Sequence, residues 1–454
     1  MRLPASAQED RSDTDQRPSR FGSAAALNLA GQAFPVFVAV LTTPMIVRLL
    51  GPAGFGVIAL VWSLAGYLTL LDLGLGRAVA KLGAEANALP PARLRGLVAQ
   101  SLRMQMIFGA VTGLVLFLLC PQLAALLHVP PAMEASVANA FRILAVIFPL
   151  ILVTTTYRGA LEALQDFRMV NFLRSVFGSL IFLVTLLGAW LTDSVVFIVL
   201  LIAVVRVAAA ASHWAAFNRA VPRAEPDVHT DTSSLLAFGS WVTATSLLVP
   251  LVQYLDRFLV GATLGLAAVA HYAGPYELAM KLMLLPGAVA SALLPMMSGQ
   301  ASRGRRTDQQ LRQAMWLSAL LMVVPAIVLV WAAGPITSIW LGQSYVQPSS
   351  NVLRLLTLAV FFNGLALLPF TALEARGRPD LVTKYHLCEL PVYVLVLVLL
   401  IGRWGINGAA FAWVIRNAVG FAALLWLAGR AHHHDGRHVA RSSSEALSSA
   451  ESLP

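Results

Sequence analysis

The sequence predicts an all-α polytopic membrane protein of about twelve transmembrane helices, and three observations carry that prediction. Apolar residues make up 58% of the 454 residues and charged ones only 12%, about half the ~25% usual in a soluble domain. The mean hydropathy is +0.74, and the apolar residues come in runs of roughly 17 to 25, the length that spans a bilayer as a helix. Backbone groups in hydrocarbon must be bonded within their own segment, so such runs are helices, and no alternating barrel pattern appears.

Taken in order, residues 1–21 mix Arg2, Arg11, Arg17 and Arg20 with Glu9, Asp10, Asp13 and Asp15 and read as a solvated tail rather than a cleavable signal. Apolar runs between polar or Pro/Gly breaks then give helices near 22–49, 56–83, 96–119, 136–161, 167–191 and 194–218. After a polar stretch, a second series follows near 234–259, 267–298, 312–333, 350–374, 380–402 and 405–429. The expected organisation is a first six-helix bundle over 22–220, a cytoplasmic linker over 221–233 and a second bundle over 234–430. Residues 431–454 have too little apolar content to fold and read as a disordered tail. Their histidines (His432, His433, His434, His438) with Asp435 make a poor metal site on such a tail.

Charge tests the helix count, because Lys and Arg collect in cytoplasmic loops. With the N-terminus inside, only Arg48, Arg257 and Arg403 fall at outer helix ends, and the rest outside the helices face inward. A missed helix would scramble that alternation, so both termini are expected to be cytoplasmic. The pI of about 10.2 then reflects loops facing anionic headgroups and needs no nucleic acid. Cys120 and Cys388 fall near opposite membrane faces, which excludes a disulfide between them.

An internal repeat follows from two alignments. Residues 160–163 and 372–375 both read ALEA, and the same shift pairs Arg142 with Arg354. A shift larger by two lays LGPAGFGVIALVWSLAGYLTLL (50–71) on LGLAAVAHYAGPYELAMKLMLL (264–285). Each joins helix n to helix n + 6, so both halves have the same orientation about an axis along the membrane normal.

Ionisable side chains inside the membrane cost roughly 2.5 to 3.5 kcal/mol or more and mark cavities or partners. The helices hold Arg77, Arg142, Arg206, Lys281, Arg354 and Arg416 against Asp72, Glu277 and Glu389. A cavity lined by that excess would attract an anion and repel a cation. Blander readings stand beside this one. Glu277 and Lys281, spaced i, i+4, neutralise each other as readily as they line a cavity. Lys81 snorkels to headgroups. Arg206 and Arg416 are equally well satisfied by carbonyls or by acids such as Asp72 and Glu389. Asp256 and Arg257 form either a local pair or an outer gate. Pro35 and Pro250 fall within one residue of repeat equivalence and are candidate hinges, although packing kinks are the commoner role. The string GLGRA (74–78) reads as close helix packing. No GxxxxGK[ST] loop occurs, the outward loops are short, and no catalytic site or cofactor is indicated.

The stretches LLGPAGFGVIALVWSLAGYLTLLDLGLGRAVAKLGAE (49–85), QYLDRFLVGATLG (253–265), LEARGRPDLVTKYH (373–386) and RWGINGAAFAWV (403–414) resemble the Wzx-type polysaccharide biosynthesis flippases. These belong to the multidrug/oligosaccharidyl-lipid/polysaccharide exporter superfamily, and the resemblance runs over 22–429. It departs at one loop, where ALEALQDF in the first half faces ALEARGRP in the second. The resemblance implies two six-helix bundles around a central cavity in the bacterial inner membrane. It also implies an undecaprenyl-pyrophosphate-linked oligosaccharide as substrate, in company with other polysaccharide assembly proteins. Two alternatives remain at this stage. A multidrug antiporter of the same fold would want buried carboxylates for organic cations, and a membrane glycan polymerase or ligase would want larger outer loops.

Overall fold

The computed structural model describes residues 17–85, 90–127, 129–223, 253–301, 308–376 and 378–451, and among these every regular element is helical. The helices are α1 (Arg17–Leu70), α2 (Leu75–Glu85), α3 (Pro91–Leu126), α4 (Pro131–Ala163), α5 (Phe167–Leu191) and α6 (Val195–Ala220). Then come α7 (253–264), α8 (Leu266–Met280), α9 (Leu284–Ala301), α10 (Asp308–Trp331), α11 (Ala333–Leu341), α12 (Val346–Ala375) and α13 (Pro379–Glu451).

Several predicted spans are merged or broken. The first two meet within α1 at Gly51 (φ 66°, ψ 179°), and the last two meet within α13 at Gly405 (φ 57°, ψ −134°). The second predicted span is not continuous. It breaks at 71–74, where Leu73 and Gly74 adopt left-handed φ values of 54° and 66°. There the Asp72 carboxylate accepts from the Gly74 N–H at 2.9 Å. The eighth span carries a 3-10 turn at Lys281–Met283 between α8 and α9. Helix α13 continues to Glu451 over the stretch expected to be an unfolded tail, because a lone Gly436 in that stretch does not stop a helix the way a proline would. Most of the expected linker, and Pro250 with it, lies outside the described residues.

The chain divides into two compact units, residues 1–270 and 271–454. Helix α7, expected to open the second bundle, packs inside the first unit. Gly261 faces the Leu127 side chain at 2.8 Å, and Gly66 lets the Tyr254 hydroxyl approach to within 2.6 Å of where a Cβ would stand. In the first unit α4 packs against α2, α3 and α6, and α1 against α5. In the second, α12 packs against α9, α10, α11 and α13. These two central helices, α4 and α12, are the most buried spans, at 56% and 61% against 17–44% for the others. They are also the two that the repeat equates.

The repeat is visible at individual residues. Ala160 and Leu161 are fully buried, as are Ala372 and Leu373, while Glu162 and Glu374 turn outward. Gly51 and Gly265 both sit at helix junctions with left-handed φ, 66° and 84°, where a side chain would be strained. Near the start of each central helix an arginine is held by an asparagine one turn earlier. Arg142 donates to Asn139 and Arg354 to Asn351, both at 3.0 Å.

The basic loop residues that fix the predicted topology also finish helices. Arg95 donates to the Pro222 carbonyl at 2.9 Å, the Val221 carbonyl at 2.8 Å and the Asn218 side chain at 3.0 Å, and stacks over Phe217. It thereby satisfies carbonyls at the end of α6 that have no helical partner. In the second unit Arg376, at the end of α12, donates to the Ala428 carbonyl within α13 at 2.6 Å and ties the two helices together. Arg95→Ala is expected to cost about 1 to 3 kcal/mol, the range for hydrogen bonds to a charged donor. Hydrogen exchange should rise at the C-terminal turn of α6 while the rest of the unit keeps its protection.

Candidate functional site: the intramembrane charges

Each predicted charge can now be placed. In the first unit, Asp72 is 7% exposed and caps the break before α2. Its carbonyl accepts from Gln105 Nε2 of α3 at 3.4 Å, and the same nitrogen reaches Thr155 Oγ1 of α4 at 3.3 Å. Thr156 donates to the Gln105 amide oxygen. Sequence reasoning missed this buried amide and threonine cluster, because single uncharged polar residues leave no mark on a hydropathy profile. Arg77 is exposed on α2. Arg142 stands over the Phe117 ring at 5.5 Å. Arg206 is half-buried midway along α6, and its Nε is enclosed with no hydrogen-bond partner. Pro35 lies inside α1 against Gly178 of α5, whose Cβ position would be 3.1 Å from the proline ring.

Asp256 and Arg257 on α7 are 0% and 3% exposed. The Asp256 carboxylate accepts from the Arg257 backbone N–H at 2.8 Å. The Arg257 guanidinium donates to Ser63 Oγ at 2.6 Å and lies over the Tyr254 ring. Ser63 in turn donates to the Ala59 carbonyl, leaving its lone pairs for the arginine.

In the second unit two of the predicted bases meet two of the predicted acids. Lys281 donates to Glu277 at 3.1 Å, both about a quarter exposed. Arg416 Nε donates to Glu389 Oε1 at 3.2 Å across the Gly405 turn, with side-chain exposures of 11% and 9%. Arg416 is also sandwiched near Tyr393 and Trp413, at 5.2 and 5.3 Å from the ring centres, a geometry that stabilises a cation. Glu389 takes two further donors, Tyr385 Oη at 2.9 Å and His386 Nδ1 at 2.7 Å. A cavity of about 230 Å³ opens beside this cluster, lined by Tyr385, Glu389 and Arg416 at one side and by Val392, Val396 and Ile415 at another. Arg354 is exposed and donates to the Val330 carbonyl at 3.3 Å as well as to Asn351. His386 and Tyr385 were missed. The spacing His386-x-x-Glu389 was legible as an i, i+3 pair, but only the turn at Gly405 brings Arg416 to it.

Comparisons with known proteins identify the chain. It matches the family described as "Polysaccharide biosynthesis protein" over residues 23–301 and the family described as "MatE" over residues 242–400. It is 27% identical over 401 residues to a "Putative O-antigen transporter" of Shigella flexneri, covering 88% of this chain and 96% of that one. It is 25% identical over 417 residues to the "Uncharacterized membrane protein EpsK" of Bacillus subtilis (strain 168), covering 86% and 80%. Among solved structures, an inward-facing multidrug resistance MATE transporter superposes with a TM-score of 0.77 at 14% identity, over 91% of this chain and 99% of that one. The lipid II flippase MurJ superposes with a TM-score of 0.74 at 10% identity, over 90% of each chain. Those likenesses establish a shared fold, and the first family match covers more than half of the sequence, so this chain belongs to the polysaccharide biosynthesis protein family and is an all-α, multi-pass membrane protein with the fold of the multidrug/oligosaccharidyl-lipid/polysaccharide exporters.

Proposed function

We propose that this protein is a flippase that carries an undecaprenyl-pyrophosphate-linked oligosaccharide across the bacterial inner membrane for lipopolysaccharide, capsule or exopolysaccharide synthesis. The observation that carries the reading is the polysaccharide biosynthesis family match over residues 23–301, to which the O-antigen transporter relative adds its weight. The excess of intramembrane bases supports it. A pyrophosphate cannot cross hydrocarbon without fixed cations along its route, whereas a carrier of organic cations needs the opposite sign. Arg77, Arg142, Arg206, Lys281, Arg354 and Arg416 are proposed to line that route. Asp72, Asp256, Arg257, Glu277 and Glu389 serve as gate or counter-charge, and Pro35 and Pro250 as hinges. Two bundles rocking about the substrate, with both chain termini in the cytoplasm, complete the proposal. It assigns no catalytic step to the chain and makes its partners the lipid-linked glycan, the surrounding lipid and other assembly proteins.

The test is genetic and biochemical. In a strain whose surface polysaccharide depends on this chain, its loss should abolish the polymer and leave lipid-linked repeat units in the inner leaflet. The variants Arg77→Ala, Arg142→Ala, Lys281→Ala and Arg354→Ala, combined, should restore less than a tenth of the polymer at equal protein level. Full restoration by the combined variant would rule out the cationic route. Wild-type polymer in the deletion strain, together with a new sensitivity to cationic dyes, would favour a drug exporter.

A further inference from the structure

Asp72 is a buried acid without a base. It is 7% exposed at the break between α1 and α2. The one hydrogen-bond donor its carboxylate meets is the Gly74 N–H, on Oδ1 at 2.9 Å, and among the described residues Oδ2 has no donor and no basic side chain pairs with the group. Glu277 and Glu389, by contrast, each hold a base. A bare carboxylate in a membrane-spanning segment is costly, so a positive charge has to neutralise it.

The break gathers further oxygens around it. The Gly74 and Leu75 N–H groups, which would bond back along a continuous helix, go instead to the Asp72 side chain and to the Asp72 carbonyl, the latter at 3.0 Å. The Leu71 carbonyl is left accepting nothing among the described residues, on a residue only 5% exposed. A buried carbonyl without a donor calls for a positive partner. Helix α4 adds another oxygen. The point where a Cβ would stand on Gly76 lies 2.8 Å from the Thr155 carbonyl oxygen and 3.0 Å from Asp72 Oδ2, and the glycine leaves it empty. Gln105 of α3 reaches Thr155 Oγ1 at 3.3 Å and the Asp72 carbonyl at 3.4 Å. Both bonds are long for N–H···O, so the amide yields easily if the oxygens close on an ion.

Oxygen-only surroundings select a hard cation, and one carboxylate balances one positive charge. A divalent ion would leave net charge in the membrane. An organic cation has no room where Gly76 and Gly159 bring α2 and α4 into backbone contact. The carbonyl end of a half-helix also carries the negative end of its dipole, which favours a small cation there. The second half has no counterpart. Its equivalent span breaks at the 3-10 turn Lys281–Met283, where Lys281 and Glu277 neutralise each other, and the position equivalent to Asp72 is Pro286.

We propose that the break at 71–74 binds one alkali-metal cation, held by Asp72 Oδ2 with the carbonyl oxygens of Leu71 and Thr155. The ion supplies the missing counter-charge and fixes α2 against α4. It gives Asp72 a partner that the flippase reading does not name, and its test needs no transport.

Full-length protein in phosphatidylcholine nanodiscs is melted in choline chloride, sodium chloride and potassium chloride at equal ionic strength. Sodium or potassium should raise the melting temperature of wild type saturably. Asp72→Asn keeps the size of the side chain without its charge, and should need about tenfold more salt, or more, for the same rise. Equal stability of wild type in all three salts overturns the site, and so does an undiminished response in Asp72→Asn. Hydrogen exchange of wild type alone decides the matter if the variant fails to fold. Sodium or potassium in place of choline should slow the amides of 73–79, and slowing confined to other segments is fatal to the idea. Wild type that ignores all three salts but melts higher as the pH falls assigns the neutralising charge to a proton and overturns the site likewise. If the cation binds yet the deletion strain still makes polymer, the flippase reading fails and the site stands. Loss of polymer with no cation response fells the site alone.

Discussion

Gly159→Val is expected to be among the most damaging single substitutions in the first unit, lowering its stability by about 3 kcal/mol or more, the upper range for overpacking. Helices α2 and α4 cross at Gly159 and Gly76 with backbone against backbone. A Cβ on Gly159 would run into the Gly76 carbonyl oxygen, and one on Gly76 would lie 2.8 Å from the Thr155 carbonyl oxygen. Neither neighbour is a side chain that can swing aside. Helices in lipid associate through this kind of close approach, since lipid tails give no hydrophobic drive between them. The consequence extends beyond packing, because α2 begins at the Asp72 break, and Gln105 bonds both Asp72 and Thr155. Pushing α2 off α4 therefore breaks the buried polar cluster as well. Thermal unfolding in detergent should show the loss, together with reduced accumulation in the membrane. Gly287→Ala is the control, since nothing lies within 4 Å of that position, and helix propensity favours alanine by about 1 kcal/mol. Equal melting of the two variants would show that the crossing at Gly76 is not tight.

The crossing also shows what the sequence discloses and what it hides. GLGRA reads as a close-packing string because small residues have one physical use in an apolar helix, and the structure puts Gly76 at a crossing. The helices themselves, and the equivalence of α4 with α12, are legible because spans are long, periodic and bounded by charge. Helix α3 starts earlier than its apolar run because the basic segment PARLRGLVAQ is still helical, with Pro90 and Pro91 fixing its start, although it is too polar to register as membrane. The break at 71–74 is hidden inside LDLGLG, where apolar residues mask a local decision made by one carboxylate and one glycine. Charge partners are the least legible feature. Lys281 and Glu277 share a helix face and are read directly, whereas Arg416 reaches Glu389 over 27 positions of chain and Arg257 reaches Ser63 over 194. Burial of a serine carries no signal at all in an apolar run.

Ser63→Asp is expected to slow transport at least tenfold if the contact between Ser63 and Arg257 must open in each cycle. The argument begins with the partners. Arg257 is 3% exposed and Ser63 is fully buried, and their bond at 2.6 Å joins α1 to α7. A charged donor on a neutral hydroxyl contributes about 1.5 to 3 kcal/mol in soluble proteins, and side-chain hydrogen bonds in membranes average nearer ~0.6. A contact of that size opens readily. Aspartate at the same place turns it into a buried ion pair, and pulling such a pair apart costs about 3 to 5 kcal/mol. Each ~1.4 kcal/mol added to the opening step slows it tenfold. Ser63→Ala acts in the other direction, since it removes the acceptor and leaves opening no harder than before. Surface polymer made per unit of protein, with the chain at limiting level, is the measurement. Low polymer with Ser63→Asp and near-normal polymer with Ser63→Ala mark a gate, while equal activity of both variants and wild type would reduce Asp256 and Arg257 to a packing pair. A purely structural bond predicts the reverse order, because there the alanine variant loses the contact and the aspartate variant keeps it.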